Sequence, residues 1–291
     1  MSAKKLSIII PSLNRQGALS QLVKKLVLLS TSETELIIVD DSLDRCREVE
    51  LASTGSSVVY YIHRGKKQGV SSARNLGAQQ AQGDYLVFLD DDDDFTENWI
   101  PDFVDAIKSS PTLVFCEMRR IAPTGQEQIE KARIAANGNL LQAIFIPGAW
   151  VIKSDFFWSI GGYDERLTYA ENTELFIRIQ KENLQIKLIP KPNFIYYPSP
   201  DGGSKNLRNM VESLNLILDK HQASLSAHVK HLYHQILGVN HMRFREFSKS
   251  RKNLILALYY KPTKLATLGR FLIACFPFIA RQLYTETVKD A

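Results

Sequence analysis

Five consecutive aspartates, Asp90–Asp94, directly follow an apolar stretch over residues 85–89. Carboxylates this close repel one another and raise one another's pKa, so a buried strand that ends in such a cluster needs a cation beside it. A cluster of oxygen donors suits Mg²⁺ or Mn²⁺ better than zinc. The alternative is a solvated acidic loop that also caps the next helix at Thr96. Because charges are rarely buried without a partner, the apolar stretch favours the metal site.

A second acidic pair, Asp40-Asp41, follows the apolar stretch over residues 35–39. Up to about residue 120, apolar stretches of strand length alternate with segments that carry apolar residues at helical spacing. Because the strand stretches are apolar throughout, we expect an α/β fold with a mostly parallel sheet covered by helices on both faces. Ligands of such sheets bind beyond the carboxyl ends of the strands. Both aspartate clusters lie at such ends, which predicts one ligand site at that edge.

The individual elements follow from apolar spacing and from turn residues. A strand over residues 6–10 is expected to stop at Pro11, and Asn14 is expected to cap a helix that reaches Leu26. Further strands are expected over residues 35–39, 57–62, 85–89, 149–152 and 186–189, and further helices over residues 71–82, 155–160 and 171–180. We expect Asp93 and Asp94 to shape the loop after the fourth strand and to start the next helix.

Charge is distributed unevenly along the 291 residues. Residues 1–204 carry 22 basic and 26 acidic side chains, a net charge of −4, whereas residues 205–291 carry 14 and 5, a net charge of +9. We therefore predict an α/β domain over residues 1–204 and a basic helical region over residues 205–291. A loop rich in proline, glycine and serine, residues 198–205, separates them. The basic region indicates an anionic surface as its partner.

The three cysteines, Cys46, Cys116 and Cys275, are too widely spaced for a disulfide framework or a zinc motif, so we expect a reducing, cytoplasmic compartment. The N-terminal residues lack the features of a secretory signal. The longest apolar candidate for a membrane helix, residues 271–280, is about half of the roughly 20 residues that a spanning helix needs.

An aspartate pair beside a metal-type aspartate cluster suits a nucleotide diphosphate. One carboxylate can accept a hydrogen bond from a base N–H group, while the metal neutralises the diphosphate. The first predicted strand is not followed by a Gly-x-Gly-x-x-Gly motif, and the chain has no Walker-type lysine loop. A dinucleotide dehydrogenase or a P-loop NTPase is therefore disfavoured.

Five short motifs, in this order, resemble those of glycosyltransferase family 2. They are IIIPSLNR at 8–15, IVDDS at 38–42, GVSSARNLG at 69–77, FLDDDD at 88–93, and GGYDE at 161–165 with ENTEL at 171–175. The resemblance covers roughly residues 5–200. It implies the GT-A fold, which has a Rossmann-like, mostly parallel sheet flanked by helices, here with a C-terminal helical extension. It also implies a nucleotide-sugar donor and inversion at the anomeric carbon.

The resemblance also implies roles for individual residues. Residues 1–120 would bind the nucleotide and residues 121–204 the acceptor. The donor-binding residues would be Pro11, Ser12, Asn14, Arg15, Asp40 or Asp41 at the base, Arg74, Asp90 and Asp91. Mn²⁺ or Mg²⁺ would be held by Asp90 and Asp92, which match the family's D-x-D motif. Trp150 and Tyr169 are candidates for stacking on the acceptor sugar.

The catalytic base is where the chain departs from the family pattern. The family commonly has Glu-Asp where this chain has Glu171-Asn172, and that aspartate is generally regarded as the base. An amide cannot take up the proton, so Glu171 and Glu174 remain as candidates. A structural alternative exists for Glu171, because Thr168-x-x-Glu171 fits a helix capping box and Asn172 is itself a good N-cap.

The function that this sequence predicts is metal-dependent transfer of a hexosyl or N-acetylhexosaminyl group from a nucleotide-sugar, with UDP as the expected nucleotide. The acceptor would be a glycan or a lipid-linked glycan in polysaccharide or glycoconjugate biosynthesis. The alternatives are a sugar nucleotidyltransferase, whose glycine-rich N-terminal loop is absent here, and a catalytically silent subunit that binds nucleotide or glycan, which Asn172 leaves open.

The basic region over residues 205–291 would attract anionic lipid and nucleic acid alike. A membrane surface is favoured over nucleic acid, because the resemblance implies lipid-linked acceptors. The protein would then lie peripherally on the inner face of the cell membrane. The alternative is that these helices pack on the catalytic domain or form a homo-oligomer.

Overall fold

The computed structural model describes residues 5–54, 58–198 and 206–286. These residues form two compact units. The first contains the residues up to 166 together with the segment from Glu171, and the second contains Leu167–Ala170 together with the C-terminal helices. The expected boundary at residues 204/205 and most of the loop over residues 198–205 lie outside the described residues, as does the expected start of the third strand at Ser57.

The strands of the first unit are β1 (Leu6–Ser12), β2 (Thr34–Asp40), β3 (Val59–His63), β4 (Tyr85–Phe88), β5 (Asp94–Phe95), β6 (Leu113–Ile121), β7 (Glu127–Glu130), β8 (Arg133–Ile134), β9 (Leu140–Gln142), β10 (Trp150–Lys153) and β11 (Ile186–Tyr196). The main sheet has the order β3-β2-β1-β4-β10-β6-β11-β5, with β7 paired to β6. β8 and β9 form a separate two-stranded sheet. The helices of this unit are α1 (Gln16–Leu29), α2 (Arg47–Ser53), α3 (Val70–Gln80), α4 (Trp99–Ile107), α5 (Ser154–Ser159) and α6 (Glu171–Ile179).

The first four strands of the main sheet pair in parallel, as the continuous apolar stretches predict. β1, β2 and β4 are buried along their whole length. The second half of the sheet is mixed, because β10 runs antiparallel to both β4 and β6, while β6 and β11 are parallel. The carboxyl ends of β1, β2 and β4 therefore lie at one edge, which places both aspartate clusters there.

Two boundaries in the first βα unit differ from expectation. β1 does not stop at Pro11 but continues to Ser12 in register with Asp40. Proline is tolerated there because its nitrogen points to the β4 side, where pairing already ends at Ile9. Helix α1 begins at Gln16 rather than after Asn14, because Asn14 adopts the left-handed conformation (φ +56°) and cannot act as a helix cap.

Helix α3 packs closely on β1. A side chain at Gly77 would place its first carbon against Ile9, so only glycine allows the helix to approach the strand this closely. Around this contact the core is aromatic, with the Phe88 ring 5.0 Å from that of Tyr163 and 5.9 Å from that of Trp150. Fully burying a side chain of this size stabilises the fold by roughly 1.5–3 kcal/mol. The approach of α3 brings the preceding turn of the helix, at Arg74, to the acidic edge.

The second unit is helical. Its helices are α7 (Leu207–His221), α8 (Ala227–Arg243), α9 (Phe247–Tyr260), α10 (Leu265–Cys275) and α11 (Pro277–Leu283). Met242, Leu254, Ala274 and Ala280 form a small core between α8, α9, α10 and α11. Among the helices of the described residues, none has the length and apolarity that crossing a membrane would require.

Candidate functional site

The aspartate cluster begins where β4 ends, and its members differ in environment. Asp91 is buried, accepts a hydrogen bond of 2.7 Å from the Ser12 hydroxyl and lies 3.2 Å from the Arg15 guanidinium. Arg15 also pairs with the exposed Asp92. Burial raises the pKa of Asp91 to about 6, although Ser12 and Arg15 act in the opposite direction. The loop after β1 is thereby joined to the end of β4.

The last two aspartates hold the loop in shape. The Asp93 carboxylate accepts a 2.8 Å hydrogen bond from the Asp90 N–H group, and burial, followed by the charge of Asp90, raises the pKa of Asp93 well above its usual range. Asp94 pairs with Lys25 of α1. Asp94 belongs to the short strand β5, so the expectation that it starts the next helix is wrong; α4 begins only at Trp99.

The alternative of a helix cap at Thr96 is also not observed. The Thr96 hydroxyl donates to the Asn193 side chain at 3.1 Å, and the residue before α4 is Asn98. The acidic run is therefore fixed by its own ion pairs and by pairing with β11 rather than by the following helix.

The cluster retains negative charge that a cation would offset. Its five carboxylates meet three cationic side chains, those of Arg15, Lys25 and Arg74. The side chains of Asp90 and Asp92 remain 40% and 47% exposed. Within the described residues no three potential ligands converge on one point. Mg²⁺ is commonly bound by one or two carboxylates together with substrate phosphates and water, and a D-x-D pair of exposed carboxylates fits that pattern.

Arg74 links the aspartate cluster to the start of α6. Its guanidinium is 2% exposed, donates to Asp90 at 2.6 Å and to Glu171 at 3.0 Å, and lies over the Tyr163 ring. Burial would lower the pKa of Arg74, but Asp90, Tyr163 and Glu171 outweigh burial and raise it. Arg74 is therefore a permanent cation between Asp90 and Glu171, two carboxylates that are far apart in sequence.

Glu171 is the first residue of α6, where the helix dipole stabilises negative charge. Its Oε1 atom accepts hydrogen bonds from Arg74 and, at 3.2 Å, from the Asn172 amide. Among the described residues no hydrogen-bond donor reaches Oε2. The capping box is not formed, because the Thr168 N–H group donates to Ser213 Oγ instead.

Asn172 orients its neighbour instead of capping the helix. Its side-chain oxygen accepts a 2.8 Å hydrogen bond from the Tyr163 hydroxyl, which leaves the amide nitrogen to donate to Glu171. Tyr163 is buried, and burial raises the pKa of its hydroxyl, so it stays a donor. Just before α6, Ala170 has φ +57°, a conformation that few non-glycine residues adopt.

Three other candidates lie in different surroundings. Glu174 is fully buried and forms a bidentate ion pair with Arg178, so the structure does not support it as a base that reaches an acceptor. Trp150 is fully buried against Phe176 and offers no surface for stacking on a sugar. Tyr169 is partly buried and belongs to the second unit, where its hydroxyl contributes to raising the pKa of Tyr233.

The Asp40-Asp41 pair is held by residues that the sequence reasoning missed. The Tyr61 hydroxyl donates to Asp40 at 2.7 Å. Arg64 makes two hydrogen bonds to Asp41, which also accepts one from the Gln68 N–H group. Arg64 directly follows β3, whose last residue is in register with Asp40. The parallel pairing of β2 and β3 is therefore the signal that could have placed Arg64 beside this pair.

The loop after β1 reaches the same pair. Its Asn14 N–H group donates a 2.7 Å hydrogen bond to the hydroxyl of Ser42, and the Ser42 N–H group donates to Asp40. Pro11 lies in β1, one position before Ser12. The structure thus brings to one edge of the sheet the expected donor-binding residues Pro11, Ser12, Asn14, Arg15, Asp40, Asp41, Arg74, Asp90 and Asp91, together with Asp92 of the expected metal pair.

A groove of about 670 Å³ lies elsewhere, among α7, α8 and α9 of the second unit, and is lined by residues such as Lys230, His234 and Tyr260. It contains none of the aspartates described above. The sheet edge is the candidate functional site, because the charge cluster and the buried arginine both lie there.

This topology, with an acidic cluster beyond the carboxyl ends of β1, β2 and β4, defines an α/β protein of the GT-A class. The family model described as Glycosyl transferase family 2 matches residues 7–178. The chain belongs to this family.

Two relatives and one solved structure illustrate the similarity. An uncharacterized glycosyltransferase of Haemophilus influenzae is 32% identical over 186 residues, which is 61% of this chain and 62% of that protein. A GalNAc(5)-diNAcBac-PP-undecaprenol beta-1,3-glucosyltransferase of Campylobacter jejuni is 36% identical over 93 residues, 31% of this chain and 30% of that one. The chain thus matches less than two thirds of the length of either relative.

The fold is similar to that of S. aureus TarS in complex with UDP-GlcNAc. The TM-score is 0.62 at 20% sequence identity, and the match covers 93% of this chain and 79% of the other. At this identity the similarity concerns the fold alone.

Proposed function

We propose that the protein is a metal-dependent, inverting glycosyltransferase that moves a hexosyl or N-acetylhexosaminyl group from a UDP-sugar to a glycan or lipid-linked glycan. One observation carries this proposal. A single buried guanidinium, that of Arg74, holds Asp90 of the acidic cluster and Glu171 of α6 on its two terminal nitrogens. A carboxylate suited to the donor's metal and a carboxylate suited to deprotonating the acceptor are thereby fixed side by side.

Asp90 and Glu171 would have separate roles in the transfer reaction. Asp90 and Asp92 would hold Mn²⁺ or Mg²⁺ against the donor diphosphate, and the ion would supply charge stabilisation for the departing diphosphate. The acceptor oxygen forms a bond to the anomeric carbon from the face opposite the diphosphate, and the bond between that carbon and the diphosphate oxygen breaks. The acceptor proton passes to Oε2 of Glu171, the oxygen that no described donor reaches.

Arg74 and Asn172 would keep Glu171 ready for this step. Both donate to Oε1, so the carboxylate is held in one orientation with Oε2 directed away from them. Asn172 then serves as an orienting residue at the position where the family commonly has the base. On this proposal Asp41 or Asp40 contacts the base of the nucleotide, and the loop at Ser12 and Arg15 borders the donor.

Asn172 also favours a second candidate function, a catalytically silent subunit that binds a UDP-sugar or glycan. Both functions require donor binding, but only the enzyme needs Glu171. The C-terminal region over residues 205–291 would place either protein at the inner face of the cell membrane, where lipid-linked glycans are built.

The test is to incubate the full chain with Mn²⁺, a panel of nucleotide-sugars and a panel of glycan and lipid-linked glycan acceptors and to measure released nucleoside diphosphate, with UDP binding followed by calorimetry. Glu171→Gln should reduce release at least 100-fold and leave UDP affinity within about twofold, given the usual contribution of a general base. Glu182→Gln, an exposed change of the same chemistry, is the control. Unchanged release in Glu171→Gln would exclude Glu171 as the base, and binding without any release would identify the silent subunit.

A further inference from the structure

Helix α10 carries an apolar stripe on the side that faces away from its own unit. Leu265, Leu268 and Leu272 are exposed and recur at three- and four-residue spacing, so they share one face of the helix. The opposite face is buried at Thr267 and Ala274. The stripe is thus a second apolar face of a helix whose first apolar face already packs in the core.

Further exposed apolar residues follow in sequence at the junction of α10 and α11. Residues 275–279 (sequence CFPFI) are all exposed, and the side chains of Phe276 and Phe278 are 59% and 74% exposed on either side of Pro277. Ile279 and Leu283 extend the surface along α11. Single exposed apolar residues are ordinary, but this many large ones within 19 residues of sequence indicate an interaction site. We refer to Leu265, Leu268 and Leu272, together with residues 275–279 and Leu283, as the apolar face.

Cations dominate the segment of the sequence that carries the apolar face. Between Phe247 and Thr285 the sequence contains no aspartate or glutamate, and it contains seven cations: Lys249, Arg251, Lys252, Lys261, Lys264, Arg270 and Arg281. Elsewhere in the chain the acidic residues nearly balance the basic ones. A segment that combines exposed aromatic and leucine side chains with an excess of cations is complementary to an anionic lipid bilayer.

The lengths of the two helices favour lying in a membrane surface. The 11 residues of α10 span about 16 Å, roughly half of the hydrocarbon thickness of a bilayer. A second copy of the chain is a poorer occupant, because two-fold pairing would bring the same excess of cations on both copies together.

We propose that the apolar face inserts into the headgroup layer of an anionic bilayer, with Phe276 and Phe278 as the deepest side chains and the surrounding cations on the lipid phosphates. This binding is independent of the chemistry proposed above, since the residues concerned all lie in the second unit and none belongs to the candidate catalytic site.

The test is flotation of the full chain with vesicles of phosphatidylglycerol and phosphatidylethanolamine, compared with vesicles of phosphatidylcholine. The double variant Phe276→Ser/Phe278→Ser should lower the partition coefficient on anionic vesicles at least tenfold. The control is Leu28→Ser/Leu51→Ser, which removes two exposed leucines, 85% and 73% exposed, from the first unit and should bind as the unchanged chain does.

Cys275 supplies a direct probe, because it is exposed within the apolar face while Cys46 and Cys116 are buried. An environment-sensitive fluorophore on Cys275 should shift to shorter wavelength on anionic vesicles, and the shift should diminish as NaCl is raised from 0.05 to 0.5 M, concentrations chosen to span roughly 14 to 4 Å of Debye length.

Absence of vesicle binding, or equal binding by the double phenylalanine variant, would overturn the proposal. A shift from dimer to monomer in light scattering caused by the same variant, without vesicle binding by the unchanged chain, would instead assign the apolar face to self-association and would equally overturn it.

Discussion

Replacing Arg74 by glutamine should remove the ion pairs that join the aspartate cluster, at Asp90, to Glu171 at the start of α6. The guanidinium is almost completely buried, whereas its partner Asp90 is 40% exposed and its partner Glu171 is 15% exposed. Removing one partner of a fully buried ion pair costs about 3–5 kcal/mol. Because Asp90 is partly solvated, its contact is closer to the 0–1 kcal/mol of a surface pair. We therefore expect Arg74→Gln to lower the free energy of unfolding by about 3 kcal/mol, mostly through Glu171.

For a unit of this size, about 3 kcal/mol corresponds to a fall in Tm of roughly 6–12 °C. The assay is thermal unfolding by circular dichroism in EDTA, repeated with Mn²⁺ and UDP. The variant leaves Asp90 without its cation, so Mn²⁺ and UDP should raise its Tm more than they raise that of the unchanged chain. Turnover of the nucleotide-sugar should also fall, because Glu171 loses the hydrogen bond from Arg74 that fixes its orientation.

The control for this experiment is Arg178→Gln, which breaks a second buried ion pair, with Glu174, in the same unit. It should lower Tm by a similar amount without enlarging the response to Mn²⁺ and UDP. For a unit of this size, ~1 kcal/mol shifts Tm by 2–4 °C, so a change below 2 °C means that little stability was lost. If Arg74→Gln leaves Tm within 2 °C of the unchanged chain, or responds to Mn²⁺ and UDP as Arg178→Gln does, then Arg74 does not connect the two carboxylates in solution.

Three further predictions concern single groups. Burial raises the pKa of Asp91 to about 6, above its value of about 3.9 in unfolded chains, so the folded state takes up a proton at higher pH than the unfolded state does. The free energy of unfolding in EDTA should therefore rise as pH falls from 7.5 to 5. Chemical denaturation should show a smaller rise in Asp91→Asn, and an identical rise would refute the role of Asp91. Asp92→Asn should abolish the increase in UDP affinity that Mn²⁺ causes in calorimetry. Asp94→Asn should retain this increase, because the Asp94 carboxylate pairs with Lys25. Equal loss in both variants would indicate a general effect of charge and not a ligand role for Asp92. Gly148→Ala should lower Tm more than Gly125→Ala does. Both glycines have positive φ, but only at Gly148 would the added carbon collide with a core ring, that of Phe194. Equal losses of Tm would show that backbone strain alone is being measured.

Much of the first half of the sheet could be predicted from the sequence. The apolar stretches before Asp40 and before Asp90 fall in β2 and β4, and the helices expected over residues 71–82 and 171–180 correspond to α3 and α6. These elements are readable because each carries a complete local pattern, either an apolar run of strand length or apolar residues at helical spacing. The strand β6 was missed, because its apolar run is interrupted by Glu117 and then continues into charged residues.

Side-chain environments were less predictable than element positions. Trp150 and Glu174 have residue types that suit a sugar platform and a base, yet both are fully buried. Burial depends on which strands and helices cover a given face, and β10 is covered on both sides by neighbours distant in sequence. The same holds for the start of α1, where the hydrogen bond from Asn14 to Ser42 competes with a capping conformation.

The sequence by itself determined the family, the acidic edge of the sheet and the departure from the family pattern at Asn172, because these depend on residue type and order along the chain. Only the tertiary structure decided which of the two candidate carboxylates is buried, with Glu174 fully enclosed and the Glu171 side chain 15% exposed. Arg74, Asp90, Tyr163 and Glu171 come from four separate segments, and their contacts exist only once α3 and α6 have packed on the sheet. The physical reason is that a buried guanidinium must find carboxylates in space, wherever they stand in the sequence.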